Sequence, residues 1–116
     1  MVERVPTSPE AAGIPDIVYA VKRRLAAMCG PRLVKLCLFG SRSRGDHSPH
    51  SDIDVAAVIR GLDRREKMAV LGAVAEIEFE RSTAISALVL SEAAFAELLA
   101  RERRIALDIE RDGIPV

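Results

Sequence analysis

Two aspartates one residue apart, Asp52 and Asp54, open an otherwise apolar run that continues from Val55 to Ile59. On a strand alternate side chains share a face, so both carboxylates point one way while Ile53 and Val55 point the other. Their Cα atoms then lie roughly 6.6 Å apart by strand rise. Two like charges at that spacing repel by roughly 2.5 kcal/mol at an effective dielectric of about 20. A cation between them reverses the sign. Mg²⁺ suits such a pair, because one or two carboxylates commonly hold it while phosphate oxygens and waters complete its octahedron. The complementary half lies upstream, where the apolar run Leu36 to Phe39 breaks at Gly40-Ser41. Glycine after a buried strand lets the backbone approach a ligand closely, and the amides of the following turn can donate to phosphate oxygens. Together the two halves describe a metal and triphosphate site.

Neither half is specific alone. A Gly-Ser turn after a strand is ordinary loop chemistry, and an Asp at a strand entrance can cap a turn. Their combination says more, because ten residues, Arg42 to Ser51, separate Ser41 from Asp52 and both halves abut apolar strands. Within that loop Arg42 and Arg44 suit either phosphate oxygens or plain solvent, and His47 and His50 read as free loop histidines. The pattern argues against a P-loop ATPase, since GSRSRGD lacks the lysine and following hydroxyl of that motif.

These residues need a scaffold, and the rest of the chain supplies one. After an irregular lead-in over residues 1–15, Asp16 is placed to cap a helix in which Val18, Val21 and Leu25 recur at helical spacing. Gly30-Pro31 should stop it, and a strand follows from Leu33 to Phe39. A second strand opens at the aspartates and ends near Arg60-Gly61. Leu62-Asp63 then begins a helix to about Arg81, with Met68, Leu71, Val74, Ala75 and Ile77 or Glu78 stepping along its apolar face. A third strand covers Ala84 to Leu90, Ser91 starts a further helix, and a last one runs from about Ile105 to Asp112 before Gly113. Such alternation predicts an α/β fold, a small β-sheet with helices packed on it.

Gly40-Ser41, ten residues, then Asp52-x-Asp54 resembles the signature of the DNA polymerase β-like nucleotidyltransferase superfamily. The fuller string GSRSRG…SDIDVAAV resembles its small bacterial members, the minimal nucleotidyltransferases. The strand Ile85 to Leu90 with Ser91-Glu92, and the closing Ile109 to Ile114, extend the likeness over nearly the whole chain. The resemblance implies a small mixed sheet with helices on one side and the carboxylates at its centre. It implies that Gly40 and Ser41 contact the nucleotide phosphates, that Asp52 and Asp54 hold Mg²⁺, and that a nucleoside monophosphate passes from ATP to a hydroxyl. It also implies a partner, a helical HEPN-domain protein of a toxin–antitoxin pair or another acceptor protein, with homo-oligomers left open. One departure is visible. Active members of the superfamily add a third carboxylate from the next strand, whereas Ile85-Ser86-Ala87-Leu88-Val89-Leu90 has none, and Glu78, Glu80 and Glu92 are the nearest acids. The rival is therefore a nucleotide- or partner-binding module of the same fold with weakened catalysis.

Composition agrees with one domain over residues 1–116. With 116 residues and 49% hydrophobic content the chain can bury a single core. Seventeen basic residues balance seventeen acidic ones, which argues against direct DNA binding, whose footprint is a basic balance or stripe. No apolar run of membrane-spanning length and no signal peptide are present, so a cytoplasmic location is expected. Cys29 and Cys37 read as buried thiols of a reducing compartment.

Overall fold

The computed structural model describes residues 14–39 and 53–116. Helix α1 spans Asp16–Cys29, and a 3₁₀ turn, Gly30–Arg32, leads into strand β1, Leu33–Phe39. Strand β2 is Ile53–Ile59, helix α2 is Arg64–Arg81 and strand β3 is Ile85–Ser91. Helices α3, Glu92–Ala100, and α4, Arg104–Asp112, precede a two-residue strand β4, Ile114–Pro115. The lead-in up to residue 13 lies outside the described residues. Its first described member, Ile14, is buried in the core.

Local chemistry explains most boundaries. Asp63 caps α2, its carboxylate accepting from the Glu66 amide at 2.8 Å, and Ser91 caps α3 by accepting from the Ala94 amide at 3.0 Å. The cap expected from Asp16 is not made: Pro15 holds the N-cap position and Asp16 is the first helical residue. There its charge still opposes the positive end of the helix dipole. Gly30 ends α1 at φ 59°, a conformation that glycine adopts without strain.

The sheet is mixed, in the order β3-β2-β1-β4. β1 and β2 run antiparallel, with Leu38 opposite Val55 and Phe39 opposite Asp54. β3 is parallel to β2 through the α2 crossover, with Asp54 beside Ser86 and Ile59 beside Ser91. Strand alternation then divides the core in two. Leu36, Leu38, Val55, Ala57 and Ile59 pack with Val18, Val21 and Leu25 of α1 and with Val70, Val74 and Ile77 of α2. Cys37, Ala56 and Val58 pack on the opposite face with Phe95 of α3 and with Ala106 and Ile109 of α4. Helices on one side, the arrangement implied by family likeness, are thus replaced by a pair on each face. The reason lies in β2, whose residues on both faces are apolar and need cover.

Two further expectations change. On α2 the buried face is Val70, Ala73, Val74 and Ile77, whereas Met68 is 61% exposed and Ala75 faces solvent. Apolar residues surround this helix, so spacing alone could not select the face the sheet uses. The second change is β4, which was not anticipated: Ile114 pairs with Leu38, Pro115 pairs with Cys37, and the Val116 amide donates to the Leu36 carbonyl at 2.9 Å. Side-chain pairs add to the frame, with Glu66 of α2 meeting Arg32 and Glu76 meeting Arg24 of α1. The Arg32 guanidinium holds the Glu66 carboxyl below its usual range.

The turn from α4 into β4 depends on Gly113. A Cβ there would lie 2.5 Å from the Ile109 carbonyl oxygen and 3.0 Å from the Cys37 sulfur. Backbone cannot yield as a flexible side chain does. Gly113→Ala is therefore expected to destabilise the fold by about 1–3 kcal/mol, read as a lowered midpoint in urea unfolding; an unchanged midpoint would refute the close approach.

Candidate active site

β1 ends at Phe39 and β2 begins at Ile53, so the chain leaves and re-enters the sheet at one end. Asp54 stands at that end. It is the only ionisable side chain on β2 and is half-buried on a strand whose other six residues are all buried. Alternation puts its side chain on the face of Ala56 and Val58, the face that α3 and α4 cover further along. Its in-register neighbours are Phe39 on β1 and Ser86 on β3. Gly40, Ser41, Arg42, Arg44, His47, His50 and Asp52 lie outside the described residues. Of the expected site residues, Asp54 alone is therefore placed.

The candidate third acids can be located. Glu92 follows Ser91, which pairs with Ile59, whereas Asp54 pairs with Ser86. Five strand steps at about 3.3 Å each put Ser91 roughly 16 Å along the sheet from the Asp54 level, and Glu92 follows it. It is held there by Arg60, at 3.0 Å. Glu80 lies on the α1 side of α2, in a groove with Ala20, Arg23, Arg24 and Ala27. Glu78 is at the correct end but is used otherwise, its carboxylate accepting the Ile85 amide at 2.8 Å. The position in register with Asp54 is Ser86, which is exposed and shares its face. Only the pairing register of the two parallel strands sets Ser86 rather than Ala87 beside Asp54, and no residue-by-residue pattern carries that.

Elsewhere the described residues hold little reactive chemistry. They contain no cluster of three or more His, Cys, Asp or Glu side chains suited to a metal. Cys29 and Cys37 are buried and unbridged, and burial pushes both thiols up from their usual range; they are packing residues. An open groove of about 460 Å³ lined by Leu62, Arg64, Lys67, Met68 and Leu90 lies toward the Ser91 end, away from Asp54. No helix among the described residues is long and apolar enough to cross a membrane.

Comparison with known proteins gives the fold a family. Residues 18–109 match the family model described as a nucleotidyltransferase domain. The chain belongs to that family, within the DNA polymerase β-like superfamily. Among solved structures, a Sulfolobus solfataricus protein provisionally named a nucleotidyltransferase is 21% identical. It superposes with a TM-score of 0.57 over 86% of this chain and 76% of that one. A toxin–antitoxin structure with AMP-PNP is 19% identical with a TM-score of 0.52, covering 83% and 69% of the two chains. A mutant of the toxin–antitoxin pair MntA–HpeT, with two aspartates one residue apart changed to glutamate, is 18% identical with a TM-score of 0.50, covering 81% and 68%. No curated protein gives a significant match. At these identities the likeness is one of fold.

Glu78 offers a direct test of this geometry. Removing the acceptor of a partly buried amide costs about 1–3 kcal/mol, so Glu78→Ala should lower the melting temperature while Glu78→Gln, which retains an acceptor oxygen, recovers most of the loss. Equal melting of both variants and the parent would show that the strand entrance does not depend on it.

Proposed function

We propose that this chain is a Mg²⁺-dependent nucleotidyltransferase that moves AMP from ATP to a hydroxyl of a partner protein, with Asp52 and Asp54 as the metal-holding and catalytic carboxylates. The observation that carries this reading is the half-buried Asp54 at the end of the sheet where β1 stops and β2 starts, in a domain of this family. The donor chemistry fits a hard cation, because carboxylate oxygens are the ligands Mg²⁺ prefers. Bound there, the metal would supply neutralisation of charge on the phosphates. The chain's own residues position the substrate. Gly40 and Ser41 give backbone amides to the phosphate oxygens, and Arg42 and Arg44 balance the charge of the leaving pyrophosphate. The acceptor arrives on another polypeptide, a helical HEPN-domain protein in the leading version. The toxin–antitoxin neighbours, one holding a nucleotide analogue, support that context. The setting is the cytoplasm, where ATP is available.

Binding is tested by melting. Mg²⁺ with a nonhydrolysable ATP analogue is expected to raise the melting temperature by mass action, and Asp52→Asn with Asp54→Asn to abolish the rise. A double variant that responds like the parent removes these residues from the site.

Catalysis is tested at Ser86. Losing one general base commonly lowers a rate by about 10²–10⁴, so transfer of label from α-labelled ATP to the copurifying partner should be slow in the parent. Ser86→Asp restores an acid on the Asp54 face and should accelerate it. Ala87→Asp puts the acid on the α1 and α2 side and should not. No labelling by either the parent or Ser86→Asp would favour the second reading, a binding module of the same fold, for which Ser86 in place of an acid is the supporting observation.

A further inference from the structure

Helix α2 has two apolar faces, and its own fold uses one. Val70, Ala73, Val74 and Ile77 are buried against the sheet. Met68, Gly72, Ala75 and Phe79 recur at i, i+4, i+7 and i+11, which puts them on a stripe opposite that face. Phe79 is 87% exposed and Met68 61% exposed. An added Cβ at Gly72 would meet nothing within 4 Å. Two large apolar side chains thus flank a shallow saddle on the outer surface of the domain.

The charges of α2 are distributed against its own dipole. Its first turns carry Arg64, Arg65 and Lys67, and its last turns carry Glu76, Glu78 and Glu80. A lone helix favours the reverse, with acids at the N-terminus and bases at the C-terminus. Glu66 and Arg81 are the two that conform, and Glu66 is engaged by Arg32. Glu76 is engaged by Arg24 and Glu78 by the Ile85 amide. Among the described residues Arg64, Arg65, Lys67 and Glu80 make no ion pair. The unfavourable order becomes favourable when the basic half of one α2 lies along the acidic half of another.

We propose that the outer face of α2 is a self-docking surface on which a second copy of this chain packs antiparallel, related by a two-fold axis between Ala73 and Val74. The stripe is a palindrome about that axis. Met68 comes opposite Phe79 of the second copy, a favourable sulfur–aromatic pairing, and Gly72 comes opposite Ala75. The small pair at the crossing lets the helix axes approach to about 8 Å, the close end of helix packing. The isologous arrangement uses each contact twice, and it sets Arg65 within reach of Glu80 of the second copy at both ends. A helix of this length spans about 27 Å. One such stripe buries less than the roughly 800 Å² per partner of a standard stable interface, so the dimer is reversible and salt-sensitive. The surface is separate from the Asp54 end of β2 and does not depend on the proposed activity.

Sedimentation velocity of the whole chain tests this. The 12.6 kDa protein should show a mass that rises toward twice that value across the micromolar range at low salt. Phe79→Ser, on a side chain that touches little of its own core, should raise the dimer Kd by about tenfold or more with an unchanged circular dichroism spectrum. Arg65→Glu and Glu80→Lys should each weaken the dimer, and the two together should restore it, because only antiparallel packing sets one residue against the other. A monomer at every concentration overturns the proposal and leaves the stripe to a different protein. So does a dimer indifferent to Phe79→Ser, or one that the double charge reversal fails to rescue.

Discussion

The antiparallel register of β1 against β2 is the constraint on which the rest depends. With Leu38 opposite Val55, every second residue of both strands goes to one core and the rest go to the other. A slip of one residue would exchange the faces throughout. It would carry Asp54 from the α3 and α4 side to the α1 and α2 side, into the packing of the larger core. The same register brings the end of β1 level with the start of β2, so the segment between them begins and ends at one rim of the sheet. Hydrophobic burial thereby fixes where a charged side chain can stand.

Helices on both faces follow from that burial. β2 is apolar on both sides, as strands in the middle of parallel or mixed sheets commonly are, and each face takes two helices. Arg32 with Glu66 and Arg24 with Glu76 then tie α1 and its following turn to α2. Exposed pairs of this kind add little to stability individually. Burial of Val70, Ala73, Val74 and Ile77 is what orients α2, and it leaves the remaining apolar stripe facing outward.

Much of this was legible in the residues. The bounds of β1, α1 and α2 were set by local chemistry: the Gly30-Pro31 stop, the Asp63 cap, and the Gly40 break after Phe39. The DxD spacing placed Asp54 at a strand entrance, and the structure keeps it there. What failed were facts of pairing. The buried face of α2 could not be chosen from a helix with apolar residues all round. β4 was too short to leave a period, and its Pro115 argued against a strand. Whether Ser86 or Ala87 adjoins Asp54 depends on a parallel register that tertiary packing decides. Gly40, Ser41, Arg42, Arg44 and Asp52 stand as motif and spacing only.

Ala56 and Ala57 sit back to back in the centre of β2, one in each core, with 1% and 2% exposure. Strands flank them on either edge and helices lie over both faces. Amides so enclosed exchange their hydrogens with solvent only when the whole domain opens. The strand bearing Asp54 is thus braced on both edges and both faces, a rigid support for that carboxylate.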